Sequence, residues 1–212
     1  MRCITSKVDK REHILETAEG LFAEYGYEGA STRMLAKEAG VNVAMISYYF
    51  GSKEKLFEAL VEKRTSFARE QIASLSREDQ DPWQKLNAVI DLNVDRILSD
   101  QQFYRILYRE ISLQQRSQLG ENLVAILMKN VKGLIELIKA GIKAKAFRPV
   151  DPELTVATLI GTIFHTTKST ALAHLLLNGN PDGTNVTDEK FGQRLKNHLK
   201  DLLQAHLRPT QP

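Results

Sequence analysis

Cysteine is almost missing from this 212-residue chain, with Cys3 the single example. One thiol cannot close an intrachain disulfide, and no Cys/His pairs fall at zinc-finger spacing, so a disulfide scaffold and a structural metal site are both excluded. A reducing compartment, the cytoplasm, is the expected location. Glycine and proline are also sparse, at twelve and six residues, which rules out collagen-like and low-complexity classes. No signal peptide is expected, because charges interrupt MRCITSKVDKREHILETAEGLF before any apolar stretch reaches signal length. The least charged region, Leu154 to Leu177, is long enough to span a bilayer, yet it carries His165, Lys168 and His174 among several Thr and Ser. Those groups are costly in hydrocarbon, so no membrane partner is expected. Catalytic constellations are missing too. His13, His165, His174, His198 and His206 do not form HExxH, and no G-x-S-x-G elbow, Walker loop or strand-borne GxGxxG occurs. The expectation is therefore a protein that is not an enzyme and has neither metal nor cofactor.

What is present is ordinary globular composition, 42% hydrophobic and 26% charged, with a net charge of +3. A mild basic surplus is compatible with an anionic partner. Its position is unexpected, because Met1 to Thr65 holds ten basic and ten acidic residues and the surplus lies beyond.

Apolar residues recur at helical spacing along the whole chain, and no segment alternates as a half-buried strand does. Ile14, Leu15, Ala18, Leu21, Phe22 and Tyr25 form a first stripe ending at Gly26. Ser31 can cap a short helix that stops at Gly40, Asn42 a third helix over Val43 to Tyr49, and Ser52 a fourth. Asp81-Pro82 and Asp151-Pro152 each place a cap before a proline at the first helical position. They open helices to about Leu98 and Leu177. Between them lie a helix from about Gln101 to Gln114 and a long one from Leu119 to Ile142. A loop, NGNPDGTNVTDE, precedes a last helix over about Asp188 to Leu207. The prediction is an all-α chain of about nine helices. Residues 1–52 would be a three-helix domain, and residues 53–212 a larger helical domain.

Helices two and three are joined by AGVN, a tight glycine-containing turn of the helix-turn-helix kind, which sets the second helix ready for a major groove. Helix two opens on Ser31, Thr32 and Arg33, where hydroxyls, backbone amides and a guanidinium suit phosphate. No charged side chain falls between Val41 and Phe50. Val43, Ala44, Met45 and Ser47 are therefore able to approach base edges, with Tyr48 and Tyr49 at the end of the helix and Lys53 beyond it.

The run from Ile14 to Leu60, ILETAEGLFAEYGYEGASTRMLAKEAGVNVAMISYYFGSKEKLFEAL, resembles the DNA-binding domain of the TetR family of bacterial transcription regulators. The likeness rests on the Ile-Leu/Ala/Leu-Phe stripe, Gly26-Tyr27, Leu35-Ala36, Ala39-Gly40-Val41, Phe50 and Ser52-Lys53-Glu54-Lys55-Leu56. It implies a homodimeric, usually repressing protein that binds a double-stranded DNA operator and is released by a small-molecule effector held in the carboxy-terminal helices. By position, Thr32 and Arg33 would contact DNA from helix two. Val43, Ala44, Met45 and Ser47 would face bases or flanking phosphates, and Tyr48, Tyr49 and Lys53 would hold phosphates. The chain departs from the family where Ser47 replaces the commoner tyrosine and Tyr49 a common histidine. Met34 replaces a usually polar residue.

No specific motif follows Ala68. The charge-poor helix from Leu154 needs apolar neighbours nearly all round, and the small residues Ala157, Gly161 and Ala171 allow close helix approach. With Phe191, Leu195, Leu199 and Leu202 of the last helix, they would build a four-helix bundle across a two-fold axis. Trp83, Phe103, Tyr104, Leu107, Tyr108, Ile111, Phe164 and His165 are candidates to line a pocket for a modest-sized, mainly apolar effector, although residues of these types more often simply fill core. A helical ligand-binding or interaction module without specific DNA binding is the alternative reading, and it predicts the same fold.

Overall fold

A computed structural model of the chain describes residues 7–113, 117–167, 175–177 and 189–209. Nine helices have described bounds: α1 (Lys7–Gly29), α2 (Thr32–Glu38), α3 (Val43–Phe50), α4 (Lys53–Arg77), α5 (Pro82–Ser99), α6 (Gln101–Leu113), α7 (Gln118–Lys143), α8 (Pro152–Thr167) and α9 (Glu189–Leu207). No strand occurs among the described residues. The chain is all-α, as its periodicity predicts. The expected continuation of the eighth helix through residues 168–174 and the loop over residues 178–188 lie outside the described residues.

Local chemistry places the boundaries. Asp81 accepts hydrogen bonds from the Trp83 and Gln84 amides ahead of Pro82, and Asp151 accepts one from Leu154 ahead of Pro152. Each carboxylate satisfies orphan N–H groups at a helix start. The expected stop at Gly26 appears as a break inside α1, where φ is 73° and ψ is 172°. Glycine adopts that backbone without a Cβ penalty. A short helical turn then resumes through Gly29.

Two compact units make up the chain. The first comprises Met1–Ser66 with Gln102–Leu127, and the second Phe67–Gln101 with Met128–Pro212. In the first, Ile14, Leu15, Ala18 and Phe22 of α1, Leu35 and Ala36 of α2, Ile46 of α3 and Leu56, Phe57, Leu60 and Val61 of α4 are all buried. Phe22, Tyr27 and Phe57 form an aromatic cluster with centroids 5.1 to 5.7 Å apart. Such rings supply much of the burial in a small helical core.

In the second unit α9 packs on α5 and α8. Its stripe of Phe191, Leu195, Leu199, Leu203 and Leu207 is buried. Lys196 pairs with Asp95 at 2.6 Å, and Lys200 with Asp91 at 2.6 Å, so two ion pairs flank the packing of α9 on α5. Trp83 meets Phe147 edge-on at 4.7 Å. A Cβ added at Gly141 would run into the Phe147 ring, so the close approach of that ring requires glycine there.

Candidate nucleic-acid interface

The turn between α2 and α3 is built entirely by local hydrogen bonds. Gly40, at φ 62°, donates its N–H to the Lys37 carbonyl at 3.1 Å, and Val41 donates to the Ala36 carbonyl at 2.9 Å. This pair of bonds is the Schellman closure of a helix end, and it needs a residue that tolerates the left-handed region. Upstream, the Ser31 hydroxyl accepts from the Met34 amide at 3.2 Å and starts α2. Downstream, the Asn42 side chain accepts from Ala44 N at 2.9 Å and starts α3. The Ser52 hydroxyl then accepts from Lys55 N at 3.2 Å. Each of the three caps predicted from sequence is in place.

One residue decides which way α3 faces. Ile46 is its single buried side chain, and a fully buried isoleucine is worth about 2 kcal/mol over an exposed one. At about 100° per residue, Ala44 and Tyr48 must then point almost directly away, with Ser47 to one side and Met45 to the other. The observed exposure agrees: Val43, Ala44, Ser47 and Tyr48 are exposed, while Met45, Tyr49 and Phe50 are half-buried. Tyr48 is 68% exposed, and its ring meets that of Tyr49 edge-on at 5.1 Å. The resulting surface is uncharged, able to hydrogen-bond through Ser47 and Tyr48, and about one helix wide.

Cations border it. Arg33 is exposed on α2 next to half-buried Thr32, and Lys37 is exposed in the last turn of the same helix. Lys55 pairs with Glu58 at 2.8 Å. Lys53 is occupied, donating from Nζ to the Tyr27 carbonyl at 3.0 Å with its ammonium 4.2 Å from the Tyr27 ring centroid. A residue with no obvious role in the sequence also comes close: Arg11 of α1 lies over the Phe50 ring at 5.0 Å. The two are far apart in the chain, and no local pattern announces the pairing.

In the same unit, Glu110 of α6 is buried and its Oε2 has no hydrogen-bond partner among the described residues. Burial pushes its carboxyl up, and Glu28 adds to that, while Arg109 and Lys53 pull it down. Tyr27 is buried as well, and that burial raises its phenol, with Glu54 the next contributor. The Ser52 hydroxyl holds the Glu54 carboxyl below its ordinary range, helped by Glu54's own backbone amide and by Tyr27.

The candidate effector residues fall in both units. Phe103, Tyr104, Leu107, Tyr108 and Ile111 belong to the first, and Trp83, Phe164 and His165 to the second. Phe103, Tyr104 and Leu107 are buried, and His165 is exposed. A cavity of about 10 Å³ lies within the second unit, lined chiefly by apolar side chains including Leu86, Leu134, Ile138 and Leu203, with Thr155 the one polar side chain. None of the eight candidates lines it. Among the described residues no group of three His, Cys, Asp or Glu could hold a metal, and no helix is long and apolar enough to cross a membrane.

The expected dimer residues separate into two sets. Ala157 and Gly161 are exposed on α8, beside Leu154 at 67% exposure, and Leu202 is exposed on α9. Phe191, Leu195 and Leu199, expected at an interface, are instead buried within the second unit. A helical stripe shows that a face needs cover without saying whether its own chain supplies it, and here α5 and α8 do. Ala171 lies outside the described residues.

A capped short helix, a Schellman turn and a second short helix with an exposed uncharged face define a helix-turn-helix protein. The sequence matches the model of the bacterial regulatory proteins, tetR family, over residues 14–60. Residues 14–60 thus carry the segment that this family's model describes. It is 33% identical over 139 residues to "Probable HTH-type transcriptional regulator YttP" of Bacillus subtilis, covering 62% of this chain and 64% of that protein. It is 32% identical over 140 residues to the HTH-type transcriptional repressor NicS of Pseudomonas putida, covering 65% of this chain and 66% of that protein. These alignments thus span slightly less than two thirds of either relative. Among solved structures, FadR of Bacillus subtilis, a transcriptional regulator determined in complex with stearoyl-CoA, superposes with a TM-score of 0.72 at 22% identity. That likeness covers 91% of this chain and 96% of FadR, and it establishes the fold.

Proposed function

We propose that the protein is a ligand-responsive, DNA-binding transcriptional regulator of the cytoplasm, a homodimeric repressor released from its operator by a small, mainly apolar effector. Residues 1–52 carry the DNA-binding surface, and residues 53–212 hold the effector and the dimer contact. The observation that carries this reading is the outward face of α3: Ile46 turns inward, Val43, Ala44, Ser47 and Tyr48 turn outward, and a charged guanidinium stands at the start of α2. A surface with apolar and hydroxyl groups at its centre and cations at its edge is suited to base edges flanked by phosphates. The match to the repressor NicS supports repression. No catalytic role is assigned to any residue.

Val43, Ala44, Met45, Ser47 and Tyr48 would meet bases or adjacent phosphates, with Thr32, Arg33 and Tyr49 on the backbone. Lys53 contributes mainly by holding Tyr27, and reaches a phosphate only if it gives up that bond. The test is a titration of purified protein against duplex DNA from upstream of its own gene and against a scrambled duplex. Sequence-selective binding that weakens steeply with salt is expected, and Arg33→Ala and Tyr48→Phe should each weaken it. Equal affinity for both duplexes at moderate salt overturns the reading, leaving a helical binding module without operator recognition.

A further inference from the structure

Among the described residues, Arg11 is a cation without an anion. It lies in the first turns of α1, is exposed, and its guanidinium carbon sits 5.0 Å from the centroid of Phe50, the last residue of α3. No described carboxylate or carbonyl pairs with it. Several other cations of the first unit are engaged: Lys55 with Glu58, Lys63 with Glu12, Arg64 with Glu19, and Lys53 with the Tyr27 carbonyl. A guanidinium stacked on a ring is held there by the ring's quadrupole while its N–H edges keep their hydrogen-bonding capacity. Stacking thus fixes the position of the group without satisfying its donors.

Its position relative to α3 gives those donors a use. With Ile46 marking the inward direction, Ser47 lies about 100° to one side and Phe50 about 40° to that same side. Arg11 therefore borders the exposed face of α3 on the Ser47 side, at the carboxy-terminal end of the helix. A helix with its side chains, about 10–12 Å across, nearly fills a major groove about 12 Å wide. A group seated just off its flank meets the groove wall, which is phosphate.

Building on the reading of α3 as the DNA-facing helix, we propose that Arg11 is a phosphate-binding residue, its guanidinium stacked on Phe50 and donating to a backbone phosphate at the edge of the groove that α3 enters. Two parallel N–H groups can meet two phosphate oxygens, a geometry that lysine does not reproduce. The contact carries no base preference, so it sets orientation and affinity rather than sequence choice.

The experiment compares the full-length wild type, Arg11→Gln and Arg11→Lys by fluorescence anisotropy over a range of KCl. The probes are a duplex enriched by the wild-type chain from a random pool and a scrambled duplex of equal length. Arg11→Gln should lower the slope of log affinity against log salt by about one per protomer. It should keep the wild-type ratio of selected to scrambled affinity, and its melting temperature should stay near that of the wild type. Arg11→Lys should restore the slope. A wild type that binds the selected duplex while Arg11→Gln leaves the slope unchanged overturns the Arg11 assignment alone, including the case in which affinity or the ratio falls because Phe50 has lost a prop. A wild type that binds neither duplex overturns the regulator reading together with the assignment.

Discussion

Lys53 reaches back from the start of α4 to the carbonyl of Tyr27 at 3.0 Å, and its ammonium lies 4.2 Å from the centroid of the same residue's ring. One side chain thereby joins the end of α1 to the start of α4, the two chain segments between which α2 and α3 are strung. The Tyr27 ring is itself held by Phe22 and Phe57. The small pair of helices is thus tied at both ends to the first unit's aromatic cluster.

Removing that tie should show in stability before it shows in DNA binding. A hydrogen bond from a charged donor and a cation–π contact at a half-buried site together suggest a loss of about 1–2 kcal/mol for Lys53→Ala. Urea denaturation followed by circular dichroism measures it. The salt dependence of DNA binding should change less than for Arg33→Ala. A Lys53→Ala chain with unchanged stability and a slope lower by one would mark Lys53 as a phosphate ligand instead.

Glu110 should make stability fall as pH rises. Its carboxyl is raised in the folded chain, chiefly by burial, so between the unfolded value and the raised folded value the native state holds a proton that the unfolded chain has lost. In that window the native state binds more protons, and linkage then requires stability to decline with increasing pH. The decline begins near the ordinary glutamate value and ends above the folded one. Glu110→Gln keeps the shape and removes the charge, so its stability should exceed the wild type's at neutral pH and match it more nearly in acid. Urea midpoints at several pH values from about 4 to 8 test this. A wild type and variant that differ equally at every pH would show that Glu110 does not titrate in that window.

The outward face of α8 offers the third test. Leu154 is 67% exposed, and Ala157, Thr158, Gly161 and His165 are exposed with it, each three or four residues from another of the set. Small residues along that line leave room for a second helix. Multi-angle light scattering should give a dimer mass for the wild type and a monomer mass for Leu154→Glu combined with Gly161→Arg. The double variant should also bind an operator far more weakly, since two half-sites are no longer engaged together. A wild-type monomer mass at every concentration overturns the dimer.

The helix-turn-helix was legible because its signals are local. Ser31, Asn42 and Ser52 cap helices within three residues of themselves, and Gly40 and Val41 close a turn through bonds to Lys37 and Ala36. A single buried position, Ile46, then orients the whole of α3. The carboxy-terminal helices were legible as helices, and less so in their partners. Leu195 and Leu199 sit on the same kind of stripe whether a neighbouring helix of the same chain or one from another copy covers them. The eight pocket candidates, five aromatics, two aliphatics and a histidine, are of types that serve both core and ligand.

By itself, then, the order of residues determined an all-α chain with a capped, glycine-closed helix pair at its amino end, because caps, turns and helical periodicity act over a few residues. Only the tertiary structure decided that Lys53 is engaged by Tyr27, that Arg11 rests on Phe50, that Glu110 is buried, and that the α9 stripe faces inward. Those outcomes depend on which distant segments come together, and helical spacing carries no information about the residue on the other side of the contact.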